Sequence, residues 1–203
     1  MLIYIRHGAS ALNKGGTEER LRGWLPVPLT PKGEQQAHDA GSQLSLRPDT
    51  FSASDLPRAA QTAEIVGKHL GMAPKLEPNI RDWNTGDLAG TKVTDSLPQM
   101  KELIRTPDVS APNGESIDSY LARFVPEMRK RIEDPGTHLV VGHARGAMVL
   151  QGIASPVNGK GEGIDPKYLL DRPDVDPGGV MTIDPRWNVK VQNPKAGKAG
   201  KTS

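Results

Sequence analysis

The sequence predicts an α/β fold, a three-layer sandwich with a mostly parallel central β-sheet and helices on both faces. Three observations predict it. The short apolar runs Leu2-Ile3-Tyr4-Ile5 and His138-Leu139-Val140-Val141 each meet a glycine within three residues, as buried strands running into turns do. Strand and helix patterns then alternate along most of the chain, which is how helices come to cover both faces of a sheet. Finally, 203 residues at 35% apolar content allow one substantial core and fall short of two full domains. Residues 1–192 therefore read as one domain and 193–203 as a flexible basic tail.

Taken in order, the first strand is Leu2–Ile5, and a loop through Gly15, Gly16, Gly23 and Pro26 follows it. Thr30 as N-cap and Pro31 in the first turn announce a helix with Ala37, Ala40 and Leu44 on its apolar stripe. A short strand, Phe51–Ala53, precedes a second helix carrying Ala59, Ala63, Val66 and Leu70 at helical spacing. From Gly71 to Gly114 the pattern is mostly irregular, with a short strand near Lys75–Glu77 and a helix near Leu97–Ile104. A longer helix spans Ser116–Ile132, and Pro126 inside it should kink or divide it. His138–Gly142 reads as a buried strand and Ala144–Ile153 as the helix leaving it. The Gly-, Pro- and Asp-rich stretch 155–179 predicts a long surface excursion. Val180–Asp184 and Asn188–Gln192 close the chain as strands that could form a hairpin.

Composition excludes several classes. No stretch approaches the roughly 18 apolar residues of a membrane span, and the N-terminus lacks a secretory pattern. Cysteine is absent, which removes disulfides, thiol catalysis and cysteine metal sites. The expected compartment is the cytoplasm. Net charge is +2, but five of the positive charges (Arg186, Lys190, Lys195, Lys198 and Lys201) lie beyond the last acidic residue, Asp184. The tail thus sets the basic pI. With 4% aromatics and no basic–aromatic groove pattern, the chain does not read as a nucleic-acid binder.

The residues suited to chemistry follow strand ends: Arg6-His7, Arg58 and His143. Strands that end at one sheet edge bring such residues together, at the place where open α/β sheets bind ligands. Two guanidiniums and two imidazoles around one point would neutralise a phosphoryl group, and an imidazole can attack phosphorus. Backbone N–H groups opening the helix after His143 would add anion-binding donors.

In these motifs the chain resembles the histidine phosphatase superfamily, in its phosphoglycerate mutase-like branch. Arg6-His7-Gly8-Ala9-Ser10 with Asn13 is similar to that family's opening motif. Gly23-Trp24, Pro28-Leu29-Thr30, Gly33 and Gln36-Ala37 are similar to the segment after it. Ser54-Asp55-Leu56-Pro57-Arg58-Ala59-Ala60-Gln61-Thr62-Ala63 is similar to the second-arginine motif. Ile80-Arg81-Asp82 with Gly86 and Gly90, then Pro112-Asn113-Gly114-Glu115-Ser116, and then Val140-Val141-Gly142-His143 complete the series in the family's order.

The resemblance implies a phosphomonoester hydrolase in which His7 becomes a phosphohistidine. Arg6, Arg58 and His143 would hold the phosphoryl oxygens, and Asp82 would donate the proton, in a position where the family usually carries glutamate. It further implies substrate contacts at Asn13, Gly23, Ala144 and Arg145, with no metal and no cofactor. Partial burial near Trp83 would raise the Asp82 pKa for this work. Arg145, where the family more often has glycine, is either an extra basic contact or an ordinary helix-surface arginine. Pro26, where many members have aspartate, reads as a local loop difference. Glu115 reads as an anchor for a helix start or for the groups around the site.

Phosphoglycerate mutases of this type carry a longer insertion between the acid and the Gly-Glu-Ser segment. Only 32 residues separate Asp82 from Glu115 here, which favours an open site and transfer to water. A mutase is the second reading, and a non-catalytic phospho-ligand or protein-binding module the third. The expected partner is a small phosphorylated metabolite or a phosphoprotein. Oligomeric state has no sequence signal. His38 and His69 read as surface or packing residues, and His138 as a cap or solvated group before its strand. Gly159–Gly163 lacks the ending of a phosphate loop, and Asp171, Asp174 and Asp176 lack the spacing of a calcium loop.

Overall fold

The computed structural model describes residues 1–13, 16–155, 164–170 and 175–194. Its strands are β1 (Leu2–Arg6), β2 (Thr50–Ala53), β3 (Lys75–Leu76), β4 (His138–Gly142), β5 (Val180–Ile183) and β6 (Val189–Gln192). They form one sheet in the order β3-β2-β4-β1-β5-β6. The pairs β1–β4, β4–β2 and β2–β3 are parallel; β5 pairs antiparallel with β1 and with β6. The expected closing strands are thus the hairpin β5–β6, its turn held by Asp184 Oδ1, which accepts from Arg186 and Asn188 N–H.

Helices α1 (Pro31–Gln43), α2 (Pro57–Leu70), α3 (Val93–Arg105), α4 (Ile117–Glu133) and α5 (Ala144–Ala154) complete the sandwich. Side chains alternate across a strand, and the buried residues sort accordingly. Ile3, Ile5, Phe51, Leu139 and Val141 cluster with Ala40 of α1 and Ala59, Ala63 and Val66 of α2. Leu2, Tyr4, Val140, Met181 and Ile183 cluster with Phe124 and Met128 of α4 and with Val149 and Leu150 of α5. Thr30 caps α1 as expected, its hydroxyl accepting from Gly33 N–H at 3.1 Å.

Several expectations need correction. Pro126 does not divide α4, which runs unbroken from Ile117 to Glu133. Pro126 and Ala122, whose carbonyl loses its helical donor, both lie on the exposed side, so water can replace the missing bond. Pro98 is accommodated in the same way on the exposed side of α3, which begins four residues before the expected Leu97. The 155–179 stretch is more than a surface excursion, since Leu169 and Val175 enter the larger core. Its Gly159–Gly163 segment, with Asp171 and Asp174, lies outside the described residues, as does the tail beyond Pro194. His138 is buried, not solvated; its Nδ1 pairs with Thr50 Oγ1 at 2.8 Å and its Nε2 lies 3.3 Å from Asp134. His38 and His69 are exposed and touch each other at 3.1 Å across α1 and α2.

Candidate active site

Parallel pairing fixes where the chemistry-bearing residues emerge. Arg6 lies opposite Gly142, and Ala53 opposite Val141. Arg6-His7, Ser54 and His143 therefore leave three adjacent strands at the same edge, and Arg58 follows in the first turn of α2. The imidazoles of His7 and His143 meet edge-on, with centroids 5.2 Å apart.

His7 is held at both ends. Its backbone N–H donates to Gly142 O at 2.9 Å, and its ring Nδ1 lies 2.7 Å from Gly8 O. A carbonyl only accepts, so Nδ1 carries the hydrogen and Nε2 keeps the lone pair. Burial, reinforced by the charges of Arg58, Arg22 and Arg6, holds the His7 pKa well below the usual imidazole value. The ring is thus neutral with a nucleophilic nitrogen. Burial and the Arg58 charge depress His143 in the same way; its Nε2 meets Ser54 Oγ at 2.8 Å, and its Nδ1 has no partner among the described residues.

Arg58 is fully buried. Its Nη2 donates to Gly23 O at 2.9 Å and its Nη1 to Leu25 O at 3.2 Å. Gly23, expected to touch substrate, uses its carbonyl to aim this arginine, and Pro26 belongs to the same supporting loop. Arg6 donates from Nη1 to Val175 O at 2.8 Å. The Nε atoms of both arginines are buried without a partner among the described residues. Desolvation lowers each guanidinium to about 10, which leaves both charged at neutral pH. Four positive or potentially positive groups with three unpaired buried nitrogens, two of them guanidinium donors, describe a cup for an anion. The His143 side chain does not cap α5, and among the described residues the first backbone N–H groups of this helix have no partner.

Asp82 faces this cup. Its carboxylate lies 3.9 Å from Arg58 Nη2, and its Oδ1 accepts from Trp83 N–H at 3.0 Å. Trp24 Nε1 and Arg123 Nη2 both donate to its backbone carbonyl, at 2.7 and 2.8 Å. Arg123 also spans both oxygens of Glu115, whose Oε1 accepts from Asn84 N–H. Glu115 is therefore an anchor for the acid-bearing loop, as its place in the sequence suggests.

Asn13 is tied to its neighbours in the loop after β1. Its Oδ1 accepts from Ser10 N–H and its Nδ2 donates to Glu19 Oε1. Ala144 opens α5. Arg145 does not lie on the helix surface but is half-buried, its guanidinium 5.0 Å above the Trp83 ring and within the field of Asp82. Among the described residues it forms no ion pair. His7 is 1% exposed, whereas the Asp82 side chain is 15% exposed. Sequence reasoning missed Arg22, which pairs with Glu19 at 2.7 Å and adds its charge to both histidines. Its one signal was its place directly before Gly23-Trp24.

Comparison with known proteins bears on this geometry. Residues 2–154 match the model of the histidine phosphatase superfamily, branch 1. A probable phosphoglycerate mutase GpmB of Photorhabdus laumondii is 35% identical over 157 residues, covering 74% of this chain and 68% of that protein. A protein of the same name from Erwinia tasmaniensis is 32% identical over 165 residues, covering 76% and 75%. Among solved structures, a phosphoglycerate mutase from Thermus thermophilus superposes with TM-score 0.71 at 29% identity, covering 95% of this chain and 98% of that one. A mycobacterial glucosyl-3-phosphoglycerate phosphatase in complex with VO3 shares the fold, with TM-score 0.69 at 23% identity over 89% and 90% of the chains.

Proposed function

This chain belongs to the histidine phosphatase superfamily, and from that premise we propose that it hydrolyses phosphomonoesters through a phosphohistidine on His7. One observation carries the reading: His7 gives its Nδ1 hydrogen to Gly8 O and keeps Nε2 free, beside the unpaired buried Nε of Arg6 and Arg58 and Nδ1 of His143. Nε2 attacks phosphorus as the ester oxygen leaves. Arg6, Arg58 and His143 take up the charge that spreads over the other phosphoryl oxygens. Ser54 Oγ, which accepts from Leu56 N–H, gives its own hydrogen to His143 Nε2, so Nδ1 donates to the phosphoryl group even while the ring is neutral. Asp82 protonates the leaving oxygen, then takes a proton from the water that attacks the phosphohistidine and releases phosphate. Asn13 and Gly23 support the cup, and Ala144 and Arg145 border the part that receives the rest of the substrate.

The names of the curated relatives favour phosphoglycerate mutation as the second reading, in which another phosphorylated molecule replaces water as acceptor. The short 83–114 segment favours water. The test is hydrolysis of an aryl phosphate, with trapping of labelled enzyme by denaturation at alkaline pH, where a phosphohistidine survives. Wild-type protein turns over and carries an acid-labile phosphate, and His7→Ala does neither. Isomerisation of phosphoglycerates faster than phosphate release would replace the hydrolase with the mutase. Equal background rates for wild type and His7→Ala would leave a binding module.

A further inference from the structure

The geometry points to Tyr4 as a positioning residue for His143, a role that rests on the reading of His143 as a phosphoryl-holding group. Tyr4 lies in the middle of β1 and is fully buried. Its hydroxyl accepts from the backbone N–H of His143 at 2.7 Å and donates to the carbonyl of the same residue at 2.9 Å. One oxygen from β1 thus meets both backbone groups at the point where β4 ends and α5 begins, and the carbonyl also accepts from Ala147 N–H at 3.2 Å. The β1–β4 ladder offers neither group a partner, since its last pair is Arg6 with Gly142.

Room has been made for this bracket. A Cβ at either Gly142 or Gly146 would fall 2.2 Å from the Tyr4 hydroxyl oxygen, so side chains are excluded on both sides of it. The bracketed residue is extended, with φ −123° and ψ 167°. That conformation sets the direction in which the imidazole leaves the chain, towards Ser54 Oγ and edge-on to His7. Burial pushes the Tyr4 pKa up, so the hydroxyl keeps the hydrogen it donates at any working pH.

The experiment is Tyr4→Phe, with Tyr120→Phe as control; Tyr120 is another buried tyrosine, but its hydroxyl has no partner among the described residues. A misplacement of about 1 Å near the reacting centre costs on the order of 100-fold. Tyr4→Phe should therefore lower kcat by roughly 10- to 100-fold, and KM should move much less, because a misaimed donor is missed most in the transition state. The 15N-imidazole resonances of His143, and their response to inorganic phosphate, should change in Tyr4→Phe and stay wild-type in Tyr120→Phe. Lowered stability with wild-type kcat and wild-type His143 resonances would reduce Tyr4 to a packing residue. Should wild-type protein turn over no phosphoester, the resonances alone decide, and an unchanged phosphate response in Tyr4→Phe overturns the role. Gly146→Ala keeps the tyrosine but displaces its hydroxyl, and it must show the same change at His143.

Discussion

On one side of the site, Arg6, His7 and His143 leave strands whose backbones are hydrogen-bonded to their neighbours in the sheet. On the other side, Asp82 sits in a loop between the 3-10 turns Pro78–Ile80 and Gly86–Leu88, and no strand fixes it. The first wall is placed by backbone pairing and needs few helpers. The second is held by side chains: Trp24 and Arg123 on the Asp82 carbonyl, Arg81 forked onto Asp55, and Glu115 beneath. Phosphoryl binding should therefore tolerate distant mutations better than acid catalysis does.

The largest break in that comparison comes from the acid itself. Asp82→Asn keeps the shape of the side chain and removes the proton it would give. It should lower kcat for a poor leaving group by about 10²–10⁴-fold, and much less for an aryl phosphate, whose leaving oxygen needs little protonation. Vanadate or phosphate affinity should hold or rise, since one negative charge beside Arg58 is gone. Equal loss for both leaving groups would take Asp82 out of the proton-donor role.

Arg123→Met tests the support of the same wall. Its guanidinium donates to Glu115 and to the carbonyls of Asn79, Arg81 and Asp82. Removing it takes one donor each from Glu115 and these carbonyls, of which Glu115 keeps Asn84 N–H and the Asp82 carbonyl keeps Trp24 Nε1, at a cost of about 1–3 kcal/mol. Activity should fall by roughly 10- to 100-fold through displacement of Asp82. Phosphate affinity, which depends on the sheet-edge wall, should stay near wild type. Urea unfolding and phosphate titration of the same variant separate the two effects.

The sheet-edge wall has a pH dependence of its own. His7 and His143 are buried with lowered pKa values, by desolvation first and then by Arg58. The unfolded chain therefore binds their protons more readily than the folded one does. Their contribution is complete above an ordinary imidazole value near 6.5 and is lost as pH falls below it, at up to about 1.4 kcal/mol per pH unit for each ring. Unfolding free energies measured between pH 5 and 7.5 should show this slope, and it should roughly halve in His143→Gln. Saturating phosphate should flatten it, because an anion in the cup favours the protonated rings. A flat profile in the apoprotein would show that the rings are not buried as neutral groups.

What could be read from the sequence follows the same division. β1, β2, β4 and the residues at their ends were legible because apolar runs, glycine and cap signals such as Thr30-Pro31 are local. The convergence of His7, Arg58 and His143 then followed from parallel pairing. The acid loop was legible only as a motif, since Trp24, Arg123 and Glu115 act on it from 31 or more positions away. Tyr4 carries no local signal at all, since it alternates in β1 as any core residue would, and Arg22 has only its place directly before Gly23-Trp24. Pro126 misled in the opposite sense. The carbonyl that Pro126 deprives is exposed to water, which softens one of the two penalties of a mid-helix proline, and exposure is not a local property of sequence.

The smallest expected effect lies at the edge of the acid wall. Arg145 stands over Trp83 with no carboxylate paired to it among the described residues, and burial lowers its pKa. Arg145→Met keeps length and apolar contact but removes the charge and a cation–π contact worth about 0.5–1 kcal/mol. The fold should lose no more than that. An arginine that meets only the non-transferred part of the substrate contributes equally to ground and transition states, so the variant should raise KM by roughly 3- to 10-fold at constant kcat. That rise should appear for phosphoesters bearing a second acidic group and be absent for uncharged alcohols. A fall in kcat for both kinds of substrate would instead place Arg145 among the supports of Asp82, together with Arg123 and Glu115.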